Sequence, residues 1–162
     1  MSERRARGFT LIEVLVALVI VSIALLGLAS LQLRTTQHAY ASYQASMASV
    51  LARDIEVRVR LNAAAGGHYA ITAIETRAGQ GEPGCLAEGC PPAALARHDL
   101  AVWARALTEA LGRGASASLA RSEEVIGGRS LARYTLEISW PERLQDGAPV
   151  TFRYQFATPW RD

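Results

Sequence analysis

Hydrophobic and polar positions divide the chain into three stretches. Val14 to Leu33 carries no charge, and about 20 apolar residues rising 1.5 Å each is what a helix needs to cross a bilayer. From Arg34 to Asn62 there is neither proline nor glycine. An apolar stripe runs through this second stretch. Tyr40, Tyr43, Met47, Val50, Val57 and Leu61 recur at spacings of three, four or seven, interrupted by Asp54 and widened by Leu51 and Ile55. One helix from Phe9 to Asn62 is predicted, apolar all round in its first half and amphipathic in its second, on the order of 80 Å long. The alternative is two helices with a break near Arg34 to Gln37. Gly66-Gly67 is expected to end the helix.

The third stretch changes period. His68 to Arg77, with Tyr69, Ile71 and Ile74, predicts a short strand, and Ala78 to Gly84 a loop. Pro91-Pro92 precede a helix over Pro92 to Leu111, where proline suits the first turn. Leu95, Trp103, Leu107 and Leu111 line one face with Leu100 beside them, and Gly112 and Gly114 close it. After that the period is two. Ala115 to Val125 is a strand, turned by Gly127-Gly128. Leu131 to Trp140 is a second, with Tyr134, Leu136, Ile138 and Trp140 on one face and Arg133, Thr135, Glu137 and Ser139 on the other. Pro141 stops it, Asp146-Gly147 turns the chain, and Val150, Phe152, Tyr154 and Phe156 make the next inward row. The predicted architecture is α+β: a long N-terminal helix whose amphipathic half covers a small antiparallel sheet, with one extra helix.

Length and charge narrow the function. At 162 residues there is room for one modest domain besides the apolar segment. The net charge of +2 is partly the Arg4, Arg5, Arg7 cluster, so no basic nucleic-acid face is implied. Arg121, Arg129, Arg133 and Arg153 are interspersed with acids and read as a solvated face. Cys85 and Cys90 are the two cysteines in a chain expected to be exported. One small disulfide is favoured over a metal site, which needs about four ligands, and it would stabilise by roughly 2 kcal/mol. A reactive dithiol and a partial metal site are the rival readings. Adjacent residues on a helix point about 100° apart, so His98-Asp99 is not read as an acid–base pair. No nucleophile–base set, metal spacing or phosphate loop suggests an enzyme or a cofactor.

The N-terminus carries the most specific signal. Arg4, Arg5 and Arg7 precede the apolar run and Arg34 follows it. The positive-inside rule then keeps the N-terminus cytoplasmic and exports the rest. A secretory signal peptide, cut near Gly27-Leu28-Ala29 to leave Ser30, and a plain single-pass anchor both fit the apolar run. Neither accounts for Glu13. A charge deep in a bilayer costs roughly 2.5–3.5 kcal/mol or more, and such residues are usually paired or functional.

The string Gly8-Phe9-Thr10-Leu11-Ile12-Glu13 resembles the type IV prepilin signature. The resemblance implies cleavage between Gly8 and Phe9 by a membrane prepilin peptidase, N-methylation of Phe9, and retention of the apolar run. Glu13 becomes the fifth mature residue, the carboxylate taken in the family to meet a neighbouring subunit's terminal amine and set register. The implied division is a leader over 1–8, a transmembrane and filament-core half over 9–33, and a periplasmic head over 34–162 that includes the amphipathic half of the helix.

Further along, the chain resembles the PilV family of minor pilins, called type IV pilus modification proteins. The residues that carry this are Val14 to Ile20 with Leu25 to Ala29, then Leu51-Ala52-Arg53-Asp54-Ile55 with Arg58 and Arg60. A third group is the cysteine pair with Cys90-Pro91-Pro92-Ala93-Ala94-Leu95-Ala96, Asp99-Leu100 and Trp103. The run lacks the proline that many major pilins carry in this helix, and there is no C-terminal cysteine pair. The resemblance implies a non-enzymatic minor pilin, single-pass in the bacterial inner membrane and then in the pilus. It would help prime the filament with other minor pilins and the major pilin, and support twitching motility, without touching nucleic acid. A minor pseudopilin of type II secretion and a membrane-tethered binding or adhesin module are the alternatives.

Overall fold

The computed structural model describes residues 10–74, 89–141 and 148–159. The chain divides into two compact units, Met1–Tyr40 and Ala41–Asp162. Helix α1, Leu11–Leu61, supplies the described helix of the first unit and opens the second. It has no break at Arg34 to Gln37. In the first unit the large apolar side chains from Leu11 to Leu33 are all exposed, on every side of the helix.

In the second unit a four-stranded sheet runs in the order β1-β2-β3-β4, all neighbours antiparallel. The strands are β1 Ile71–Ile74, β2 Ser116–Ile126, β3 Arg129–Pro141 and β4 Pro149–Pro159. The two-residue turn between β2 and β3 is Gly127-Gly128, with φ of 59° and 78°. A tight hairpin twisted to match its strands needs positive φ at both positions, and glycine accepts it without steric cost. The predicted alternation holds in β3: Tyr134, Leu136, Ile138 and Trp140 are buried. Tyr134 stacks on its cross-strand partner Phe156 with ring centroids 4.9 Å apart. On the outer face Arg133 pairs with Glu124, Arg153 with Glu137, and Gln155 with the hydroxyl of Thr135. Val150, Phe152 and Tyr154 of β4 are only half-buried, as suits the end of the sheet order.

Helix α2 occupies Pro92–Leu111, as predicted. Pro92 sits at its first turn, and Gly112, with φ of 96°, ends it while its N–H donates to Thr108 O at 2.9 Å. Trp103 is completely buried, and its indole Nε1 donates to the Leu51 carbonyl of α1 at 2.8 Å.

Two expectations are corrected. The apolar stripe read along the second half of α1 is its buried face only in part: Tyr40, Tyr43, Val50, Val57 and Leu61 are exposed, Met47 packs half-buried on the core, and Leu51 and Ile55, read as widening the stripe, are buried. The buried face is Gln44, Ala48, Leu51, Ala52, Ile55 and Val59. Two alanines without any exposure lie in this face, and small side chains let neighbouring elements approach closely. Hydrophobic periodicity weights large residues, so it centred the stripe on Tyr43, Val50 and Val57 and left Leu51 and Ile55 at its edge.

The second correction concerns Gly66-Gly67. α1 ends at Leu61, before them. They lie in 3-10 turns over Ala63–Tyr69, which meet at Ala65 (φ −112°, ψ 23°). The turns follow from Asn62, whose carbonyl accepts from Ala65 N at 3.0 Å. Gly66 is required by proximity instead: a Cβ there would collide with the Tyr134 hydroxyl, and one on Gly67 would lie 3.5 Å from the Arg121 guanidinium. Tyr69, expected in the first strand, belongs to these turns. The loop over Ala78 to Gly84 and the turn at Asp146-Gly147 lie outside the described residues.

Candidate assembly segment and its supporting head

The candidate site begins where α1 begins. Glu13 N–H donates to the Thr10 carbonyl at 3.1 Å and approaches Thr10 Oγ1 at 3.4 Å, and Val14 N–H donates to the same carbonyl at 3.3 Å. A threonine followed three residues later by glutamate is the sequence form of a capping box, in which side chains satisfy the unpaired amides of a first helical turn. Glu13 stands in that first turn, where a negative charge also complements the helix dipole. This local role was legible as Thr10-x-x-Glu13 and was missed. Gly8 and Phe9 lie outside the described residues.

Beyond Glu13 the helix hides its polar side chains. Ser22 Oγ donates to Leu18 O at 2.7 Å and Ser30 Oγ to Gly27 O at 3.0 Å. Thr35 and Thr36 donate to Leu31 O and Gln32 O in the same way. A hydroxyl bonded back to its own helix leaves no unpaired donor facing lipid or neighbouring helices. Among the described residues α1 is the one helix long and apolar enough to cross a membrane.

The head is tied to the amphipathic half of α1 by a polar cluster that sequence reading did not assemble. Arg58 donates from Nε to Asp54 at 2.9 Å and from Nη1 to Asp99 Oδ1 at 3.0 Å. The Tyr69 hydroxyl donates to Asp99 Oδ2 at 2.5 Å. Asn62 Nδ2 donates to Tyr69 Oη at 3.2 Å and to Pro92 O at 2.8 Å. Asp99 is therefore held by α1 and the 3-10 turns, and its partners are not those of an acid–base pair with His98. Burial, then Asp99, pushes the Tyr69 phenol well above its ordinary range. Burial opposes the charge on Arg58, but Asp54 and Asp99 outweigh it and raise its pKa. A second tie joins α1 to β4: Tyr154 Oη donates to Glu56 Oε2 at 2.5 Å, and Arg60 pairs with the same carboxylate. Burial raises the Glu56 pKa, while Tyr154 and Arg60 more than reverse that and hold it low.

These partners lie up to 98 residues apart in sequence, so no local pattern brings them together. Cys90 stands directly before Pro91 and is not a free cysteine; Cys85 lies outside the described residues.

Compared with known protein families, residues 4–29 match the family described as Prokaryotic N-terminal methylation motif. No curated protein and no solved structure matches the chain. The match spans Gly8, Phe9, Thr10 and Glu13 together with most of the apolar run. The chain thus carries a prepilin-type leader motif, which supports a type IV pilin or pseudopilin, anchored in a membrane and processed by prepilin peptidase for assembly with other pilins.

Proposed function

We propose that this chain is a minor pilin of the type IV pilus, of the PilV type, that helps prime filament assembly and so supports twitching motility. The observation that carries the reading is the methylation motif over residues 4–29 on a helix whose apolar half is exposed on every side. Such a surface needs lipid or other helices around it. In this reading Gly8 ends the leader, Phe9 is the cleaved and methylated N-terminus, and Glu13 meets a subunit's terminal amine during assembly. The head over 34–162 faces the periplasm, and Cys85 pairs with Cys90 to close the turn before α2. The role is structural and takes no cofactor.

The capping geometry at Thr10 supports a double duty for Glu13. The backbone N–H of Glu13 meets the Thr10 side chain in the first turn, and a spacing of four residues would set its carboxylate one helical turn from residue 9, where cleavage would expose the amine. Carboxylate and ammonium offset one another's desolvation only at close range.

Mass spectrometry of the mature protein tests the reading. The expected N-terminus is methylated Phe9; an intact Met1 or a start at Ser30 overturns it. A gene deletion separates the pilus from secretion. Loss of surface pili and twitching is expected, while loss of enzyme secretion with normal piliation would assign the chain to the pseudopilins.

A further inference from the structure

The sheet has two edges of different kinds. β1 is 4 residues long. β4 is 11, and among the described residues nothing pairs with its far side. The register says what that side offers. Ile126 and Arg129 close a two-residue hairpin, so they exchange both backbone hydrogen bonds, and bonded pairs recur at every second residue. Odd-numbered residues of β3 therefore bond β2. Its even-numbered residues bond Val150, Phe152, Tyr154, Phe156 and Thr158 of β4, in an unbroken register. The amides of Thr151, Arg153, Gln155 and Ala157 then point away from the sheet. Pro149 and Pro159 share their parity, the positions where an edge strand tolerates proline. The open row of N–H groups thus ends at a proline on each side. Proteins blunt such rows with short strands, lysines or bulges. β4 is long and regular, and its one charge, Arg153, is tied to Glu137. The inward row beside the edge, Val150, Phe152 and Tyr154, is half-buried, and one more strand would cover it. Near Tyr154, Arg53 and Arg60 both act on a single carboxylate, Glu56, which leaves positive charge over.

We propose that the β4 edge receives an extended segment of a different chain as a fifth strand, its backbone paired with Thr151, Arg153, Gln155 and Ala157. Its alternate side chains are apolar over Val150 and Phe152, and one acid lies near Arg53. A row of backbone donors and acceptors at strand spacing is matched by another extended backbone; the main chain supplies affinity and the alternate side chains specificity. Symmetry excludes a second copy. An antiparallel β4–β4 pair is related by a two-fold axis perpendicular to the sheet. That rotation reverses every direction in the sheet plane, including that of the head half of α1 packed along its inner face. Two chains rising from one membrane cannot be opposed in this way, a step that rests on the assembly reading. A parallel β4–β4 pair would set the Phe152 row of one copy on the same face as the Arg153 row of the other, joining an apolar row to a polar one.

The test uses the full chain in its own cells, with a photo-crosslinking amino acid at Thr151, and at Ser122 of β2 as a control. The expected product at Thr151, not at Ser122, is an adduct with another chain. Peptide mapping should place the link in a segment of alternating apolar residues that contains an acid. Gln155→Pro removes one outward N–H and leaves the pairing with β3 intact, whereas Gln155→Ala removes the side chain alone. The proline variant should lower the adduct yield roughly tenfold, as loss of a backbone bond and a steric block together weaken association, and the alanine variant should leave it near the original. Ala157→Pro repeats the loss at a second outward amide. Tryptophan fluorescence of each purified variant confirms a folded head. Arg53→Glu should lower the yield about threefold through the reversed charge. An adduct only with a second copy, a link mapped to a helix, equal yield at Ser122, no adduct, or a yield indifferent to both folded proline variants each overturns the proposal. The N-terminal mass is read in the same cells. A chain that starts at Phe9 but gives no adduct at Thr151 defeats this inference and leaves the assembly reading standing; an unprocessed chain defeats the assembly reading.

Discussion

Tyr69 and Gly66 show how single residues hold the head. The Tyr69 hydroxyl sits between Asn62 and Asp99, completely buried. Tyr69→Phe removes the donor to Asp99 and leaves that buried carboxylate under-bonded, at a cost of about 1–3 kcal/mol. Chemical denaturation of the detergent-solubilised chain, followed by tryptophan fluorescence, measures it. The pH dependence has a definite sign. The folded phenol titrates above its unfolded value of about 10. Its contribution is therefore complete below pH ~10 and is lost as pH rises through the folded value. The phenol of Tyr154, raised by its bond to Glu56 and then by burial, acts in the same direction. Tyr69→Phe should flatten the alkaline loss of stability, and an unchanged alkaline limb would refute the assignment. Glu56 behaves oppositely. Its folded pKa is lowered, so its contribution holds above the unfolded value of about 4.3 and fades as pH falls through the folded one. At Gly66 the constraint is space. Gly66→Ala drives a methyl into the Tyr134 hydroxyl and should destabilise by about 1–3 kcal/mol. Adding Tyr134→Phe to the same chain removes the colliding oxygen and should recover part of the loss in the same melts.

Among the elements, α2 depends on one side chain. Trp103 fills the space beside α1 and ties its indole to the Leu51 carbonyl. Trp103→Ala should cost about 3–5 kcal/mol and lower the urea midpoint of the head accordingly. The loss of a core anchor should exceed that of Val57→Ala, whose side chain lies on the exposed stripe; equal losses would return Val57 to the core. The helix and strand limits were legible in the chain because punctuation is local. Pro91-Pro92 and Gly112 bracket α2, and Gly127-Gly128 sets the hairpin. The end of α1 at Leu61 falls one residue before the predicted Asn62, but its cause was not legible: the Asn62 side chain is engaged by Tyr69 seven residues on and by Pro92 thirty residues on, not stopped by Gly66-Gly67.

For the molecule as a whole, the proposed function predicts that processing and assembly can be separated by mutation. Gly8→Ala should impair leader cleavage, leaving a precursor heavier by the leader in membrane fractions. Glu13→Ala should leave cleavage intact and impair incorporation, which the ratio of processed protein in sheared pili to that in membranes reports. Normal incorporation of Glu13→Ala would overturn the pairing of that carboxylate with a terminal amine. The methylation motif of the candidate segment was readable from sequence, since a glycine, a carboxylate and an apolar run at set spacing are properties of consecutive residues, and the match over residues 4–29 agrees with it. The sequence by itself determined the apolar helix, the period-two strands, α2 and the methylation motif, because each is written in neighbours within a few turns or pleats. Only the tertiary structure decided which face of α1 is buried, why Gly66 is glycine, and that Arg58, Asn62, Tyr69 and Asp99 form one cluster. Those outcomes depend on distance and shape between residues far apart in the chain. An alanine face wins over a larger apolar stripe because it lets helix, sheet and Trp103 come close, and no hydrophobic pattern along a single strand of sequence records that approach.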